Sequence, residues 1–500
     1  MFDHNHLTAA LRAASIGRDD AVFAHMPNGG SLSYGAFFEG AARTAQALVD
    51  CGVTPGDRVA AQVAKTVEAL QLYVGTVMAG GVFLPLNTGY TAPEVDYFLS
   101  DASPRVLVCD PKALNDLTSI AAKAGVAHSL TLGADGRGSL TDAAQAATAL
   151  AKAVARSGDD LAAILYTSGT TGRSKGAMLS HGALASNSQT LRDHWRFTAD
   201  DVLIHALPIF HTHGLFVATN ITLMAGAACI FMPGFNADEI IKAMPRATTL
   251  MGVPTFYTRL LKDERLPEAS KSMRLFISGS APLLAETHVE WEAATGHRIL
   301  ERYGMTETNM NTSNPYEGDR RAGTVGKPLP GVEARIMGET GPVKRGEPGV
   351  IEVRGPNVFQ GYWNMPEKTA EELRPDGWFI TGDIAVESED GYITIVGRAK
   401  DMIISGGFNV YPKEIESLID DQPGVVESAV VGVKHPDFGE GVVAVVVGSA
   451  DPDAIAKAIA PELAKYKQPK RIIMVDELPR NTMGKVQKNI LRETYGQIFS

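Results

Sequence analysis

AAILYTSGTTGRSKG, residues 162–176, is the segment from which the fold can be predicted. A short apolar run passes at Tyr166 into a loop of Ser, Thr and Gly that ends with Arg173, Ser174 and Lys175. An apolar run bounded by turn residues predicts a strand buried in a mostly parallel sheet. The N–H and hydroxyl groups of the loop can surround an anion, and the two cations add charge for phosphates. The segment therefore predicts a phosphate-binding loop after a buried strand.

Two other phosphate-binding patterns are weak or absent. No GxxxxGK[ST] motif occurs in the chain, so nucleotide hydrolases and kinases of that class have little support. A GxGxxA match at Gly439–Ala444 follows KHPDF, not a strand, and does not indicate a dinucleotide site. The plain alternative for residues 166–176 is a flexible surface turn.

Helical and strand-like segments alternate on both sides of this loop. ALRAASIGR, YGAFFEGAARTAQALVDCG and KTVEALQLYVGTVMAGG have helical periodicity. DRVAAQV, RVLVCD, DVLIHALP, TTLMGVP and RLFISGS are short apolar runs that suit buried strands. The alternation predicts an α/β protein with a large N-terminal domain of layered, mostly parallel sheets and helices.

The pattern changes after Gly331. EARIMG, GVIEVRG, GYITIVG and DMIISGG are short strands bounded by glycine, which predict a small β-rich region before about residue 400. The remaining residues read helix–strand–strand–helix–strand, enough for a small α+β domain. We expect an N-terminal domain of residues 1–397, a hinge at 398–401 and a mobile C-terminal domain of residues 402–500.

Composition and charge exclude some classes. The chain has 500 residues, 45% of them hydrophobic and 21% charged, which is ordinary for a globular protein. A net charge of −11 argues against a nucleic-acid partner. Cys51, Cys109 and Cys229 form no CxxC pair and suggest reduced thiols.

The sequence also argues against a membrane or secretory protein. The N-terminus lacks the basic end and apolar run of a signal peptide. The stretch Gly214–Gly234 has no charged residue, but a buried helix followed by the core strand AACIFM explains it better than a membrane span. We therefore expect a cytoplasmic protein that does not contact a membrane.

Further motifs follow the phosphate loop in order. They are PIFHTHG (208–214), GSAPL (279–283), ERYGMTET (301–308), TGD (381–383), GRAKD (397–401), GGFNVYP (406–412) and PRNTMGK (479–485). Over nearly its whole length the chain resembles the adenylate-forming superfamily of acyl-CoA synthetases, peptide-synthetase adenylation domains and luciferases. The resemblance implies an enzyme that uses ATP, Mg²⁺ and coenzyme A and passes through an acyl-adenylate.

The resemblance also implies which residues bind ATP. For binding the nucleotide it implies Thr167, Ser168, Gly169, Thr170, Thr171, Lys175, Gly279, Ser280, Ala281, Glu301, Arg302, Tyr303, Gly304, Met305, Asp383 and Arg398. Within that set the loop residues would hold the β- and γ-phosphates, Tyr303 would stack on adenine, and Asp383 would accept the ribose hydroxyls. Glu307 and Thr306 would act at Mg²⁺ and the α-phosphate, with Thr167 as a further metal ligand.

The remaining roles concern catalysis, the acid and coenzyme A. Lys485 would be the catalytic lysine, which neutralises charge developing on the α-phosphate and acyl oxygens. As catalytic and acyl-binding residues the resemblance and the residue types suggest His211, Thr212, Arg274, Ser280 and Met310, with Arg274 as the candidate for a second carboxylate. Coenzyme A would meet Ser405, Gly406, Gly407 and Phe408, and the domain would pivot at Lys400.

Some simpler readings stay open. Lys485 could be a solvated surface lysine, although PRNTMGK has the composition of a loop. His211 and His213 could suggest zinc, but no third ligand stands at a plausible spacing. The segment Lys465–Arg492 carries eight Lys or Arg against two acids, which is a basic surface or an ordinary solvated face.

Within the superfamily the resemblance is strongest to malonyl-CoA and methylmalonyl-CoA synthetases. IHALPIFHTHGLF, MGVPTFYTRLL, MRLFISGSAPL, RYGMTETNMNTSNPY and PRNTMGKVQKN carry it. The alternatives are a ligase for another short or branched acid, a stand-alone adenylation enzyme that loads a carrier protein, and a nucleotide sensor. No obligatory protein partner is implied, and acetylation of Lys485 would remove its charge.

Overall fold

The structure is a computed structural model that describes all residues except 1, 3, 28, 168–173, 406–407, 437, 464, 482–483 and 500. Its strands are β1 (Val22–His25), β2 (Ser31–Ser33), β3 (Arg58–Gln62), β4 (Val82–Pro85), β5 (Val106–Cys109), β6 (His128–Thr131), β7 (Leu161–Thr167), β8 (Lys175–Ser180), β9 (Val202–His205), β10 (Ala228–Phe231), β11 (Thr249–Gly252), β12 (Leu275–Ser278), β13 (Leu300–Met305), β14 (Asn309–Ser313), β15 (Lys327–Pro328), β16 (Glu333–Met337), β17 (Gly349–Arg354), β18 (Phe379–Glu387), β19 (Ile393–Arg398), β20 (Ile403–Ser405), β21 (Phe408–Val410), β22 (Val425–His435), β23 (Gly439–Gly448) and β24 (Arg471–Val475).

The α-helices alternate with these strands. They are α1 (His6–Arg12), α2 (Tyr34–Asp50), α3 (Val67–Met78), α4 (Ala92–Ala102), α5 (Leu114–Lys123), α6 (Ser139–Ala146), α7 (His181–His194), α8 (Asn220–Ala225), α9 (Ala237–Ala243), α10 (Pro254–Leu260), α11 (Leu266–Ala269), α12 (Ala285–Thr295), α13 (Pro366–Glu372), α14 (Pro412–Asp420), α15 (Pro452–Ile459) and α16 (Lys488–Tyr495). Side-chain caps set several starts: Ser33, Thr66 and Ser180 accept the N–H of the residue three positions on.

Two large sheets form the N-terminal part. One has the order β6-β5-β3-β4-β7-β8 and is parallel except for the β7–β8 pair. The other has the order β15-β14-β13-β12-β11-β9-β10-β1-β2, with a parallel centre from β13 to β1. One continuous apolar core joins both sheets to the helices between them. The α/β class and the layered N-terminal domain predicted from the sequence are confirmed.

Two smaller sheets follow. Strands β16–β19 form an antiparallel sheet, which is the predicted β-rich region. The last sheet has the order β21-β20-β23-β22, with β24 beside β23, and its two apolar clusters lie within residues 403–499. This is the smaller C-terminal domain.

One strand was assigned to the wrong sheet. The run DMIISGG was expected in the β-rich region, but β20 pairs with β23 and Ile403 is buried with Val430 and Val442 in the last domain. Strand β18, which the sequence reading did not identify, lies in the middle of the β-rich sheet instead. A short apolar run fits either sheet, so its pairing could not be predicted from the sequence.

The uncharged stretch around residues 214–234 lies inside the molecule. It begins with a π-helix at His213–Thr219, continues as α8 and ends as β10, so a helix followed by a core strand is confirmed. Within the described ranges, none of the helices combines the length and apolarity needed to cross a bilayer.

Candidate active site

The predicted site residues follow the carboxyl ends of parallel strands. Thr167 ends β7, Gly279 follows β12, and the π-helix that begins at His213 follows β9. Arg302 lies within β13, the next strand beside β12. Open α/β sheets bind ligands at this edge, so the topology brings segments that are distant in sequence to one cleft.

Three residues predicted for the nucleoside are in contact. The hydroxyl of Tyr303 donates to Asp383 Oδ2 at 2.6 Å, and Arg398 Nε lies 2.8 Å from Asp383 Oδ1. Asp383 and Arg398 are opposite each other in the β18–β19 pair. Burial, with the Asp383 charge, raises the pKa of Tyr303 well above its ordinary value, so its hydroxyl stays a donor.

The turn after β12 brings the backbone close to a guanidinium. A Cβ at Gly279 would stand 2.3 Å from Arg302 Cζ, so only glycine fits there. Ser280 has a φ of 73°, which is uncommon for a residue other than glycine, and Ala281 follows it. The Ser280 hydroxyl lies 3.2 Å from His213 Nδ1. The turn therefore presents Ser280 beside the histidine motif.

Glu301 is buried at the same place. Its Oε1 accepts the Leu283 N–H at 3.3 Å, and its Oε2 has no hydrogen-bond partner in the part of the chain that the structure describes. Burial raises the pKa of Glu301 to about 8. A carboxyl group with a spare oxygen is available to a ligand in this slot.

Arg302 is the most unusual group in the cleft. Its side chain is buried, yet Nε and Nη2 find no hydrogen-bond partner among the described residues. Burial lowers the pKa of Arg302 to about 9, so the guanidinium is still charged at neutral pH. An unpaired buried cation is costly, and this one indicates a site for an anion.

Two histidines lie near this arginine. Burial, with the charges of Lys485 and Arg302, lowers the pKa of His211 to about 3, so the ring is neutral at physiological pH. Burial and the Arg302 charge also lower the pKa of His213 well below its ordinary value. His211 is therefore within electrostatic reach of two cations that come from different domains.

Thr212 and Met310 are both buried. Thr212 precedes the π-helix, and its hydroxyl has no partner among the described residues. Met310 lies in β14, and the amide of Asn187 both donates to its carbonyl at 2.8 Å and accepts its N–H at 3.2 Å. The Met310 backbone is thus rigidly held.

The structure corrects the prediction for Arg274. Its Nε and Nη2 each lie 2.7 Å from an oxygen of the buried Asp201, and further bonds reach the carbonyls of Trp195 and Arg196. Arg274 precedes β12, so it lies at the amino end of the sheet, opposite the cleft. Its guanidinium is fully used in an internal ion pair and is not available to a second carboxylate.

Of the residues predicted to bind the β- and γ-phosphates, the structure describes Thr167 and Lys175. Ser168, Gly169, Thr170 and Thr171 lie outside the described residues. Thr167 and Lys175 are opposite each other in the β7–β8 pair. The Lys175 ammonium lies 3.1 Å from Glu372 and 4.1 Å from the centre of the Tyr362 ring.

Glu307 is buried in the turn between β13 and β14, beside Gly304, Met305 and Thr306. Its Oε1 lies 2.9 Å from the Tyr362 hydroxyl oxygen. Burial raises the pKa of Glu307. Carboxylate and hydroxyl oxygens are ligands that suit Mg²⁺, so the residues that are present here fit the ion.

Lys485 is on the loop that precedes α16 and points into the cleft between the domains. Its backbone N–H donates to Asn481 Oδ1 at 3.0 Å, which fixes the loop. Enclosure by protein, then the Arg398 charge, lowers the pKa of Lys485, with Asp383 and Glu307 opposing the shift. Lys485 is nevertheless exposed to solvent.

The residues predicted for the hinge and for coenzyme A are only partly described. Lys400 lies in a short 3₁₀ turn, Ala399–Asp401, between β19 and β20. Ser405 ends β20 and is buried, and the backbone of Phe408 begins β21. Gly406 and Gly407 lie outside the described residues. Their roles stay predictions.

Sequence reasoning missed Tyr362 and Glu372. Both lie in the loop and helix before β18, and they connect Lys175 to Glu307 through the Tyr362 hydroxyl. No spacing in the sequence marks these two residues, because their partners are distant in the chain. Only the pairing of residues 360–363 with β8 brings them together.

Comparison with known proteins is consistent with this geometry. The family described as AMP-binding enzyme matches residues 7–363, and its C-terminal domain matches residues 414–485. The chain is 34% identical to malonate–CoA ligase of Arabidopsis thaliana, over 99% of this chain and 91% of that protein. It is 36% identical to a feruloyl-CoA synthase of Amycolatopsis, over 94% and 95%.

Among solved structures the chain is similar to ATP-bound MatB from Rhodopseudomonas palustris. The identity is 60% and the TM-score is 0.97, over 99% of this chain and 100% of that chain. The apo form of the same protein gives a TM-score of 0.86. The domains of this chain are therefore arranged as in the ATP-bound form.

The fold and the residues gathered in the cleft are those of an adenylate-forming ligase. The chain belongs to the AMP-binding enzyme family. Within that family it is an AMP-forming acyl-CoA synthetase, which uses ATP to join an acid to coenzyme A.

Proposed function

We propose that the acid is malonate or methylmalonate and that Arg302 binds its second carboxylate. The products would be malonyl-CoA or methylmalonyl-CoA, AMP and pyrophosphate. The resemblance to a malonate–CoA ligase and to MatB supports this choice of acid. A relative with another substrate, the feruloyl-CoA synthase, is also similar to the chain. The choice of acid therefore depends on the residues of the pocket.

The observation that carries the proposal is the free edge of Arg302. Nε and Nη2 are adjacent donors on one side of the guanidinium, and both lack partners among the described residues. Two parallel N–H donors match the two oxygens of a carboxylate. An acid without a second carboxylate would leave this buried cation unpaired, which costs binding free energy.

The surroundings of His211 support a short diacid. His211 is within electrostatic reach of Arg302 and Lys485. One cation could then neutralise the distal carboxylate while the other meets the carboxylate that reacts. Because His211 is neutral, it can form hydrogen bonds between them without adding charge.

Thr212 and Met310 would limit the length of the acid. Both are buried, and Thr212 lies between His211 and His213 in the chain. Met310 is opposite Gly304 in the β13–β14 pair, and the Asn187 amide fixes its backbone. A rigid wall disfavours long chains because a packed interior does not open without cost. We therefore expect a preference for three- or four-carbon diacids.

The proposed reaction has two steps. A carboxylate oxygen attacks the α-phosphorus, pyrophosphate leaves, and Lys485 neutralises the charge that develops on the oxygens. The thiolate of coenzyme A then attacks the acyl-adenylate and AMP leaves. Mg²⁺, when bound at Glu307, would supply charge neutralisation for the phosphates. The C-terminal domain would pivot at Lys400 between the steps.

The test is substitution of Arg302. Arg302→Met keeps much of the side-chain length but removes both donors. A charged hydrogen bond contributes roughly 1.5–3 kcal/mol, so kcat/KM for malonate should fall by about tenfold to a hundredfold. The rate with propionate should stay within about threefold of wild type, because propionate has no second carboxylate. Steady-state AMP formation with both acids gives the two values.

The control is Arg302→Lys, which keeps the charge but loses the two-pronged edge. It should retain part of the preference for malonate. If Arg302→Met keeps the full ratio of malonate to propionate, another group binds the second carboxylate and the proposal is wrong.

A further inference from the structure

We propose that Glu372 is a positioning residue that holds the ammonium of Lys175 where it meets the triphosphate of ATP. The proposal rests on the role proposed for Lys175 in binding the phosphates. It concerns a residue outside every motif by which the family was recognised in this sequence.

The contacts of Lys175 carry the inference. Its ammonium lies 3.1 and 3.2 Å from the two oxygens of Glu372 and sits over the ring of Tyr362. The Tyr362 hydroxyl lies 2.6 Å from Glu372 Oε2. The carboxylate is thus oriented by a tyrosine, and the ammonium by both the carboxylate and the ring.

The backbone around Glu372 is fixed to the strand that carries Lys175. The N–H of Gln360 donates to Met178, and the N–H of Trp363 donates to Gly176, so residues 360–363 run along β8. The Tyr362 N–H donates to the Thr369 hydroxyl at 2.9 Å, which ties this segment to α13. Glu372 is the last residue of α13, so its position relative to Lys175 is set by hydrogen bonds on both sides.

The same segment reaches the predicted metal residue. The Phe359 N–H donates to the Glu307 carbonyl at 2.8 Å, and the Tyr362 hydroxyl contacts the Glu307 carboxylate. Lys175, Glu372, Tyr362 and Glu307 therefore form one continuous network. A displacement of Glu372 would therefore change the contacts of the Lys175 ammonium.

A second lysine contacts the Glu372 carboxylate. Lys368 Nζ lies 3.0 Å from Glu372 Oε1, so the carboxylate is shared by two ammonium groups. Lys368 also lies 2.7 Å from Glu371, so the two lysines and the two glutamates balance in charge. Lys175 would meet the phosphates while Lys368 keeps Glu372 neutralised.

Positioning matters because a lysine stem is flexible. When ATP binds, fixing the four rotatable bonds of the lysine side chain costs conformational entropy. The cost of binding is larger if the side chain is not already oriented. Glu372 removes part of that cost before ATP arrives, which is preorganisation of a binding group. The effect should appear in the affinity for nucleotide and not in the affinity for the acid.

The experiment measures binding of α,β-methylene-ATP with Mg²⁺ to the full-length protein by calorimetry, together with KM and kcat. Glu372→Gln keeps the size and an acceptor for Tyr362 but loses the charge. Its dissociation constant should rise roughly tenfold, which corresponds to about 1.4 kcal/mol, with KM for the acid unchanged. Glu371→Gln is the matched control, since Glu371 contacts Lys368 at 2.7 Å and should bind the analogue as wild type does.

A double-mutant cycle, with the dissociation constant of the analogue as its readout, shows whether Glu372 acts through Lys175. Lys175→Met should itself weaken binding, and adding Glu372→Gln to it should cause little further loss. Glu372→Asp, which keeps the charge, should recover part of the affinity.

Three results would overturn the inference: wild-type affinity in Glu372→Gln, tighter binding in that variant, or additive losses in the double variant. If Lys175→Met binds the analogue normally, the proposed role of Lys175 itself fails. The two failures are therefore distinguishable.

Discussion

Arg274 was predicted to bind the second carboxylate of the substrate, but it forms an ion pair with Asp201 inside the protein. Hydrogen bonds from Arg274, Thr198 and Thr248 outweigh burial and lower the pKa of Asp201. Because the folded pKa is lowered, the pair stabilises the protein fully above the unfolded pKa of about 3.9. That contribution is lost only as the pH falls through the folded pKa.

We predict that Arg274→Ala lowers stability and leaves specificity intact. Removing one partner of a buried pair leaves an uncompensated charge, which costs about 3–5 kcal/mol. Chemical denaturation at pH 7 measures the loss, and the ratio of malonate to propionate activity should be unchanged. Asp201→Asn combined with Arg274→Met should recover part of the stability, because no charge is left buried alone. A normal stability together with a lost preference for malonate would restore the first assignment of Arg274.

Residue identity alone could not separate Arg274 from Arg302. Both arginines flank or occupy a strand of the same sheet, and the sequence does not tell at which end of the sheet each one lies. The motif ERYGMTET indicated that Arg302 is in the site, but it did not indicate an unpaired guanidinium. That property follows from Gly279, whose missing side chain makes room for the arginine.

Among the elements of the C-terminal domain, the loop that ends in Lys485 carries the residue predicted to act in catalysis. The Asn481 N–H donates to the Lys485 carbonyl at 2.9 Å, and the Lys485 N–H donates to Asn481 Oδ1 at 3.0 Å. These bonds hold the two described ends of the loop together before α16. Lys485 therefore lies on the C-terminal domain, and its catalytic role stays a prediction.

We predict that Lys485→Ala slows adenylate formation by about a hundredfold or more, since one charge stabilising the transition state is lost. Attack of coenzyme A on supplied acyl-adenylate should be largely kept. The pKa of Lys485 is lowered, so the lysine should lose its charge at a lower pH than a free lysine does. The adenylation rate of wild type should therefore fall as the pH rises through that lowered pKa. Pyrophosphate exchange and single-turnover thioester formation measure the two steps. Equal losses in both steps would mean that the lysine is structural.

Most elements could be predicted, and their pairing could not. Helices α2 and α3 and the strand before the phosphate loop follow directly from periodicity and turn residues. The strand DMIISGG was assigned to the wrong sheet because nothing in seven residues specifies a partner. The contact of residues 360–363 with β8, and hence Glu372, depends on such a long-range pairing.

At the scale of the whole molecule, the negative net charge of −11 made a local concentration of basic groups necessary for binding ATP and coenzyme A. The segment Lys465–Arg492 supplies less unpaired positive charge than its composition suggests. Four of its cations pair with acids of the C-terminal domain or the hinge: Lys467, Arg480, Lys488 and Arg492. The cleft instead gathers Arg302, Lys175, Arg398 and Lys485 from several elements, as the domain arrangement of the ATP-bound form allows.

We propose that this acyl-CoA synthetase acts on a short diacid. The most direct test is the CoA-dependent rate of AMP formation by wild type with acetate, propionate, malonate, methylmalonate, succinate and octanoate at equal concentration. We predict that kcat/KM for malonate or methylmalonate exceeds that for propionate by at least about tenfold, because only a diacid pairs with Arg302. A preference for propionate, succinate or octanoate would contradict the account of the acid, while the adenylate chemistry would stand.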